Sequence, residues 1–225
     1  MFSDEELKLI KKFNTPSKIQ EFINGLKTNF EEKGETCQSP RQVLKSGKAH
    51  CMEGAMLAAA MLRVHGFKPL LVDLETTYDD YDHVLAVFKK HGYWGAITKT
   101  NHAVLRYREP VYRTIRELVM SYFHEYFLNS SGKKTLRKYS NPIDLSKLDK
   151  FNWMTSEEGV WFVPNHLCKV KHFPIMSRKQ IKGLRKADKV EIEAGKLVDE
   201  PEPEGFSEPL HAKRKVLKLV KSIIS

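Results

Sequence analysis

Two residues of this 225-residue chain have the types and the order of a catalytic nucleophile and its base. Cys51 opens a long apolar run, and His83 follows 32 residues later. A thiol in the first turn of a helix faces unpaired backbone N–H groups and the positive end of the helix dipole, and both favour the thiolate. A nucleophilic cysteine also needs a base that accepts its proton. The pair therefore predicts nucleophilic chemistry at Cys51 with His83 as the base.

The elements that would position this pair can be predicted from the same region. The run from Gly47 to Gly66 is apolar almost all the way round, which indicates a central, largely buried helix that begins at Cys51. Residues 67–75 have the pattern of a strand, and residues 83–98 have that of a β-hairpin with its turn at His91-Gly92. The open end of this hairpin would carry His83 to the start of the helix.

The flanking segments predict the rest of the domain. Apolar spacing predicts further helices over residues 3–13, 17–30 and 109–127. Residues 151–176 contain enough apolar side chains to belong to the folded body, without a clear periodicity. We therefore predict an α+β domain over residues 1–185. A charged linker and a basic tail over residues 186–225 would follow, with a short basic helix over 211–225.

The order of these features resembles the transglutaminase-like superfamily, whose members share a papain-like core. The features that match span about residues 36–105 and are the Gly47-to-Cys51 approach, the alanine-rich helix, Leu62-Arg63 before His65-Gly66-Phe67, Asp82-His83-Val84 and Tyr93-Trp94. The resemblance implies a central Cys-bearing helix packed on a small antiparallel sheet, with flanking helices. It also implies acyl transfer through a Cys51 thioester, with a peptide or protein amide as the substrate.

The third residue of the implied triad departs from the family pattern. An aspartate normally lies about four residues beyond the tryptophan of the second hairpin strand, and here that position is Thr98. Asn101 could orient an imidazole through its carbonyl oxygen, whereas Thr98 offers a hydroxyl. If His91 and Gly92 alone form the turn, His83 faces Thr100 and Thr98 is a diagonal neighbour. If Tyr93 joins the loop, Asn101 lies opposite His83. The sequence leaves both open.

An oxyanion hole would need the Cys51 backbone N–H and one further donor. Gln38, Gln42 and Trp94 are candidates, and the sequence does not rank them.

Cysteine and acidic residues predict neither a metal nor a cofactor. The three cysteines are odd in number and widely spaced, which excludes a disulfide framework and a CxxC zinc site. The cluster Asp79, Asp80 and Asp82 lacks the spaced ligands and glycine of a calcium loop. The N-terminus has no signal-peptide pattern and no run approaches the roughly 20 apolar residues of a membrane span, so we expect a cytoplasmic protein.

The net charge of +10 supports an alternative hypothesis from another class. Residues 169–225 carry 14 Lys and Arg against 8 Asp and Glu, so most of the excess lies near the C-terminus. A catalytically weak or inactive member of the superfamily could use this region to bind a protein, RNA or another anionic surface. The basic residues concerned are Arg178, Lys179, Lys182, Arg185 and Lys186, followed by Lys213, Arg214 and Lys215.

Overall fold

The fold is described from a computed structural model over residues 1–203. Its α-helices are α1 (Asp4–Lys11), α2 (Pro16–Asn24), α3 (Pro40–Ser46), α4 (Cys51–Val64), α5 (Ile115–Met120), α6 (Phe162–Lys169), α7 (Arg178–Lys182) and α8 (Lys189–Gly195). Its strands are β1 (Lys27–Thr28), β2 (Lys48–Ala49), β3 (Leu70–Thr76), β4 (His83–Lys90), β5 (Tyr93–Ile97), β6 (Arg108–Tyr112), β7 (Leu136–Ser140), β8 (Ile143–Asp144) and β9 (His172–Pro174). Within residues 1–203 no helix has the length and apolar content needed to cross a membrane.

The predicted α+β class is confirmed. Seven strands form one antiparallel sheet in the order β6-β5-β4-β3-β7-β9, and β8 also pairs with β3. Alternating residues of β4 enter two cores, as the period of a strand requires. Val84, Ala86 and Phe88 pack in the core that contains α4, whereas Leu85 and Val87 pack in the core that contains α5.

Helix α4 is buried because its sequence is apolar on all sides. Every residue from Met52 to Leu62 is buried, including Glu53. The helix ends at Val64, and the chain reverses through Gly66, whose φ of 85° suits glycine. Its burial fixes its first turn, and Cys51 with it, against the sheet.

The hairpin β4–β5 has the two-residue turn. Lys90 pairs with Tyr93, and Ala86 pairs with Ile97. Both turn residues have positive φ, 51° at His91 and 87° at Gly92, as a type I′ turn requires. This register decides between the two that the sequence left open, and the chain leaves the sheet after Ile97.

Two helix predictions need correction. Residues 109–127 do not form one helix but strand β6, helix α5 and a 3₁₀ turn at Phe123–Glu125. Pro110 is tolerated because β6 is an edge strand, and the Thr114 hydroxyl caps α5 by accepting from Glu117 N–H. The helix predicted over residues 17–30 ends at Asn24, and the chain then enters β1.

The region near the C-terminus contains structure that its composition does not indicate. Helix α8 lies in the stretch predicted to be a linker, and Ala187 and Gly195 are buried. Beyond it, Ala103 N–H donates to the Leu197 carbonyl at 2.9 Å, which holds the segment against the body. The predicted basic helix over 211–225 lies outside the described residues.

Candidate active site

Cys51 is the first residue of α4, as predicted, and histidine precedes it as the N-cap. N-caps are usually Ser, Thr, Asp or Asn, whose side chains accept a first-turn N–H. Here the His50 ring does so, since Met52 N–H donates to its Nδ1 at 3.3 Å. The cap therefore brings an imidazole to the cysteine.

The Cys51 thiol is acidified by its neighbours. Burial raises its pKa, but hydrogen bonds with the His50 and His83 side chains and the charges of both rings outweigh burial and lower the pKa to about 6. A free thiol has a pKa of about 8.5. Cys51 is therefore predominantly thiolate at neutral pH.

His50 is held by acceptors on its other ring nitrogen. Its Nε2 lies 3.2 Å from the Thr36 carbonyl oxygen, 3.4 Å from Glu53 Oε1 and 3.9 Å from Glu31 Oε1. Burial lowers the pKa of His50, but the bond with Cys51 and the charges of Cys51, Glu53 and Glu31 raise it overall to about 9. These neighbours favour the imidazolium, in which Nδ1 would carry a hydrogen and would no longer accept from Met52 N–H.

Glu53 is a buried carboxylate that organises the first turn, and the sequence analysis missed it. Its side chain is 0% exposed. It accepts hydrogen bonds from the side chains of Asn29, Thr36 and Gln38 and from the backbone N–H groups of Gln38 and His50, at 2.8–3.2 Å. The spacing His50-x-x-Glu53 is that of a capping box and could have indicated it, although histidine is not a usual cap.

His83 is the first residue of β4 and is 6% exposed. Its side chain lines the same cavity as Cys51 and lowers the pKa of the thiol. Its Nε2 is buried and has no hydrogen-bond partner among the described residues. Nε2 therefore lacks the orienting group that a triad would supply.

The two predicted orienting residues are bonded elsewhere. The Thr98 hydroxyl donates to the Leu105 carbonyl at 2.7 Å. The Asn101 amide donates to the Glu200 carbonyl and its oxygen accepts from Glu200 N–H, each at 2.9 Å. The Asn101 side chain thus binds the segment after α8 in the way that a neighbouring strand would.

The predicted oxyanion donors also have other contacts. The Gln38 amide donates to Glu53 at 3.2 Å and to the Lys48 carbonyl at 3.3 Å. The Gln42 amide donates to the Glu157 carbonyl at 2.7 Å. Trp94 lies beside the hairpin turn, with the Lys89 ammonium 5.5 Å from its ring centre. The Cys51 backbone N–H, in the first turn of α4, therefore remains the candidate oxyanion donor.

Cys51, His50 and His83 line one cavity of about 540 Å³. Its wall also contains the carboxylates Glu31, Asp80, Asp82, Glu125 and Glu202, together with Lys99 and His102. Burial lowers the pKa of Lys99, whose ammonium donates to the Leu26 carbonyl at 2.5 Å. The cavity has the volume of a small-molecule or side-chain pocket and an acidic wall.

Arg106 and Arg108, just before and at the start of β6, are paired with carboxylates. Arg106 lies 2.7 Å from Asp199, and Arg108 lies 2.5 Å from Glu125 and stacks 4.1 Å above the Tyr122 ring. Their charges are therefore directed to the protein's own carboxylates.

In comparisons with known proteins, no family model matches the chain, and no curated protein matches it. Conclusions about its chemistry therefore depend on the geometry of the site.

Proposed function

We propose that the chain is a thiol-dependent acyl-transfer enzyme with a papain-like or transglutaminase-like core. The observation that carries this proposal is Cys51 at the start of a buried helix, in a cavity that it lines together with His50 and His83. A thiolate that is stable near neutral pH, in a space that admits an acyl group, is the arrangement that covalent catalysis by cysteine requires.

The reaction would proceed in two balanced steps. The Cys51 thiolate attacks the acyl carbon of an amide, and the C–N bond breaks as the His83 imidazolium gives its proton to the leaving amine. Water or a second amine then attacks the thioester, gives its proton to His83 and releases the thiolate. N–H groups of the first turn of α4 would stabilise the oxyanion in both steps. Peptide or protein amides are the substrate class that we propose.

Acyl-enzyme formation tests this proposal directly. The full-length protein is incubated with p-nitrophenyl acetate, and peptide mapping by mass spectrometry locates the acetyl group. We expect the label on Cys51, released p-nitrophenolate beyond one equivalent, and no turnover in Cys51→Ala. Cys168→Ala is the matched control. Cys168 is an exposed residue, and partial burial of its thiol raises the thiol pKa. Equal turnover in Cys51→Ala and wild type would contradict the proposal.

A binding role is a second candidate, which the exposed basic face of α7 favours. Arg178, Lys179 and Lys182 are exposed on this five-residue helix. Phosphate binding by such a face would weaken steeply with salt and would not need Cys51. Fluorescence anisotropy with single-stranded RNA should then show salt-dependent binding that is lost in Arg178→Glu/Lys179→Glu/Lys182→Glu and retained in Cys51→Ala. RNA binding that is unchanged by the triple substitution would contradict this role.

A further inference from the structure

Two histidines contact the nucleophile, and their surroundings differ. His50 is held by a carboxylate-rich loop and helix, whereas Nε2 of His83 has no partner among the described residues. We propose that His50, oriented by Glu53, takes the thiol proton and forms the ion pair with the Cys51 thiolate, while His83, protonated separately from solvent, gives its own proton to the leaving amine and recovers it from the attacking water or amine. This division rests on the proposed function for the role of His83, whereas the ion pair itself does not depend on catalysis.

The surroundings of Nε2 of His50 determine which ring nitrogen carries a hydrogen. This nitrogen faces the Thr36 carbonyl at 3.2 Å and the carboxylates of Glu53 and Glu31 at 3.4 and 3.9 Å. All three groups are acceptors, so Nε2 must carry a hydrogen. The proton that can come and go on His50 is therefore the one on Nδ1.

Nδ1 of His50 can take part in two alternative contacts. In the neutral ring it accepts from Met52 N–H at 3.3 Å. In the charged ring it carries a hydrogen and can donate to the sulfur of the adjacent Cys51, whose pKa the His50 side chain lowers. Nδ1 cannot accept one hydrogen bond and donate another at the same time. When the thiol proton moves to Nδ1, the His50 ring therefore stops capping the helix and becomes the ion-pair partner of Cys51.

The negative charge of Glu53, which balances that of the imidazolium, is in place before the proton moves. Glu53 is held by donors from Asn29, Thr36 and Gln38, which do not involve the His50 ring. A fixed, buried carboxylate next to an imidazole stabilises the imidazolium and fixes its orientation. In a triad an aspartate does this for the base, and here Glu53 does it for His50.

Other titratable groups face the pair from the surrounding elements. His83 approaches from β4, Glu31 from the loop before α3, and Tyr126, after α5, senses the charge of Cys51. Tyr126 remains protonated because burial holds its pKa well above the usual value, and its hydroxyl donates to the Tyr81 carbonyl at 2.5 Å. The group that can compete with His50 for the thiol proton is therefore His83.

The test compares His50→Asn with His83→Asn in the full-length protein. Asparagine is a favoured N-cap, so His50→Asn retains the capping function of this position and removes the imidazole. The readout is the pH at which Cys51 alkylation by iodoacetamide reaches half its limit. We expect a shift to higher pH by at least about one unit in His50→Asn, with a smaller shift and loss of p-nitrophenyl acetate turnover in His83→Asn. A larger shift in His83→Asn than in His50→Asn would overturn the assignment.

A second measurement does not depend on the fold of the His50 variants. The His50 imidazole is titrated by NMR in wild type and in Cys51→Ala. Loss of the thiolate should lower the pH at which His50 titrates, and an unchanged titration would overturn the ion pair. If the wild-type protein does not turn over ester while these titrations shift as expected, the proposed function fails and the His50–Cys51 pair stands.

Discussion

Cys37 and Cys51 both lie close in sequence to residues that surround the buried Glu53 carboxylate, and they have opposite acidities. Burial and the charge of Glu53 raise the pKa of Cys37 to about 12, and its side chain is 3% exposed. Cys51 is also buried at its sulfur, yet the hydrogen bonds from two histidines lower its pKa to about 6. The carboxylate is shared, so it cannot by itself explain the difference.

Burial is the main cause of the raised pKa of Cys37, whereas the two imidazoles lower the pKa of Cys51 despite its burial. Glu53 acts on Cys37 as a like charge, which disfavours the thiolate. Between Glu53 and Cys51 stands the His50 imidazole, which takes up a proton and presents positive charge to the sulfur. One buried carboxylate therefore suppresses one thiol and supports the reactive form of the other.

The largest expected effect is the selectivity of alkylation. At pH 7 the thiolate fractions of Cys51 and Cys37 differ by roughly five orders of magnitude, given pKa values of about 6 and about 12. We expect iodoacetamide to modify Cys51 in the native protein while Cys37 stays unmodified, as measured by peptide mapping. In urea the two should react alike. Comparable rates for both cysteines in the native protein would show that the acidities of the two thiols do not differ as described.

The pH dependence of Cys51 alkylation gives the next effect. Thiolate is the reactive form and accumulates as pH rises through the thiol pKa, so the rate should rise about tenfold per pH unit below about 6 and then level off. A free cysteine peptide should continue to accelerate until about pH 8.5. A Cys51 profile that superimposes on that of the free peptide would show that the two imidazoles do not acidify the thiol.

Substitution of Glu53 should narrow the difference between the two thiols. In Glu53→Gln, we expect the pH midpoint of Cys51 alkylation to rise by about one unit, because His50 loses its countercharge, and Cys37 to react faster. The free energy of unfolding should fall by about 1–3 kcal/mol, because an amide nitrogen faces buried donors.

Glu6→Gln is the matched control for Glu53→Gln. Glu6 holds the same capping-box position in α1 and accepts from Ser3 N–H and from Arg41. Its loss should destabilise the protein without moving the Cys51 midpoint. An equal shift in both variants would mean that the effect reflects stability and not the charge of Glu53.

Sequence reasoning succeeds here where the signal is local. The burial of α4 follows from residues 51–64 alone, and the position of the hairpin turn at His91-Gly92 follows from its local turn chemistry, whereas the register is settled only by the pairing of Lys90 with Tyr93. The helix expected over 109–127 fails because its apolar spacing is compatible with a helix, whereas the pairing of β6 with β5 depends on a partner strand.

The parts of the site that escaped prediction are set by distant contacts. Glu53 is a buried hub only because residues 29–38 fold over the first turn of α4. Asn101 had the chemistry to orient His83, but its amide is paired with Glu200, 99 residues further along the chain. Periodicity and spacing carry no information about such partners, whereas the His50-x-x-Glu53 pattern carries some.

The smallest expected effect on the thiol is that of Asn101→Ala. Because the Asn101 side chain bonds to Glu200, its loss should cost about 1–2 kcal/mol of unfolding free energy and move the Cys51 midpoint by less than about 0.3 pH units. Asn129→Ala is the matched control, since Asn129 also lines the cavity and donates to the Gly195 carbonyl at 3.1 Å. If Asn101 orients His83 during turnover, Asn101→Ala alone should reduce p-nitrophenyl acetate hydrolysis. Equal turnover in the two variants would mean that His83 acts without an orienting residue, whereas Glu53 orients His50.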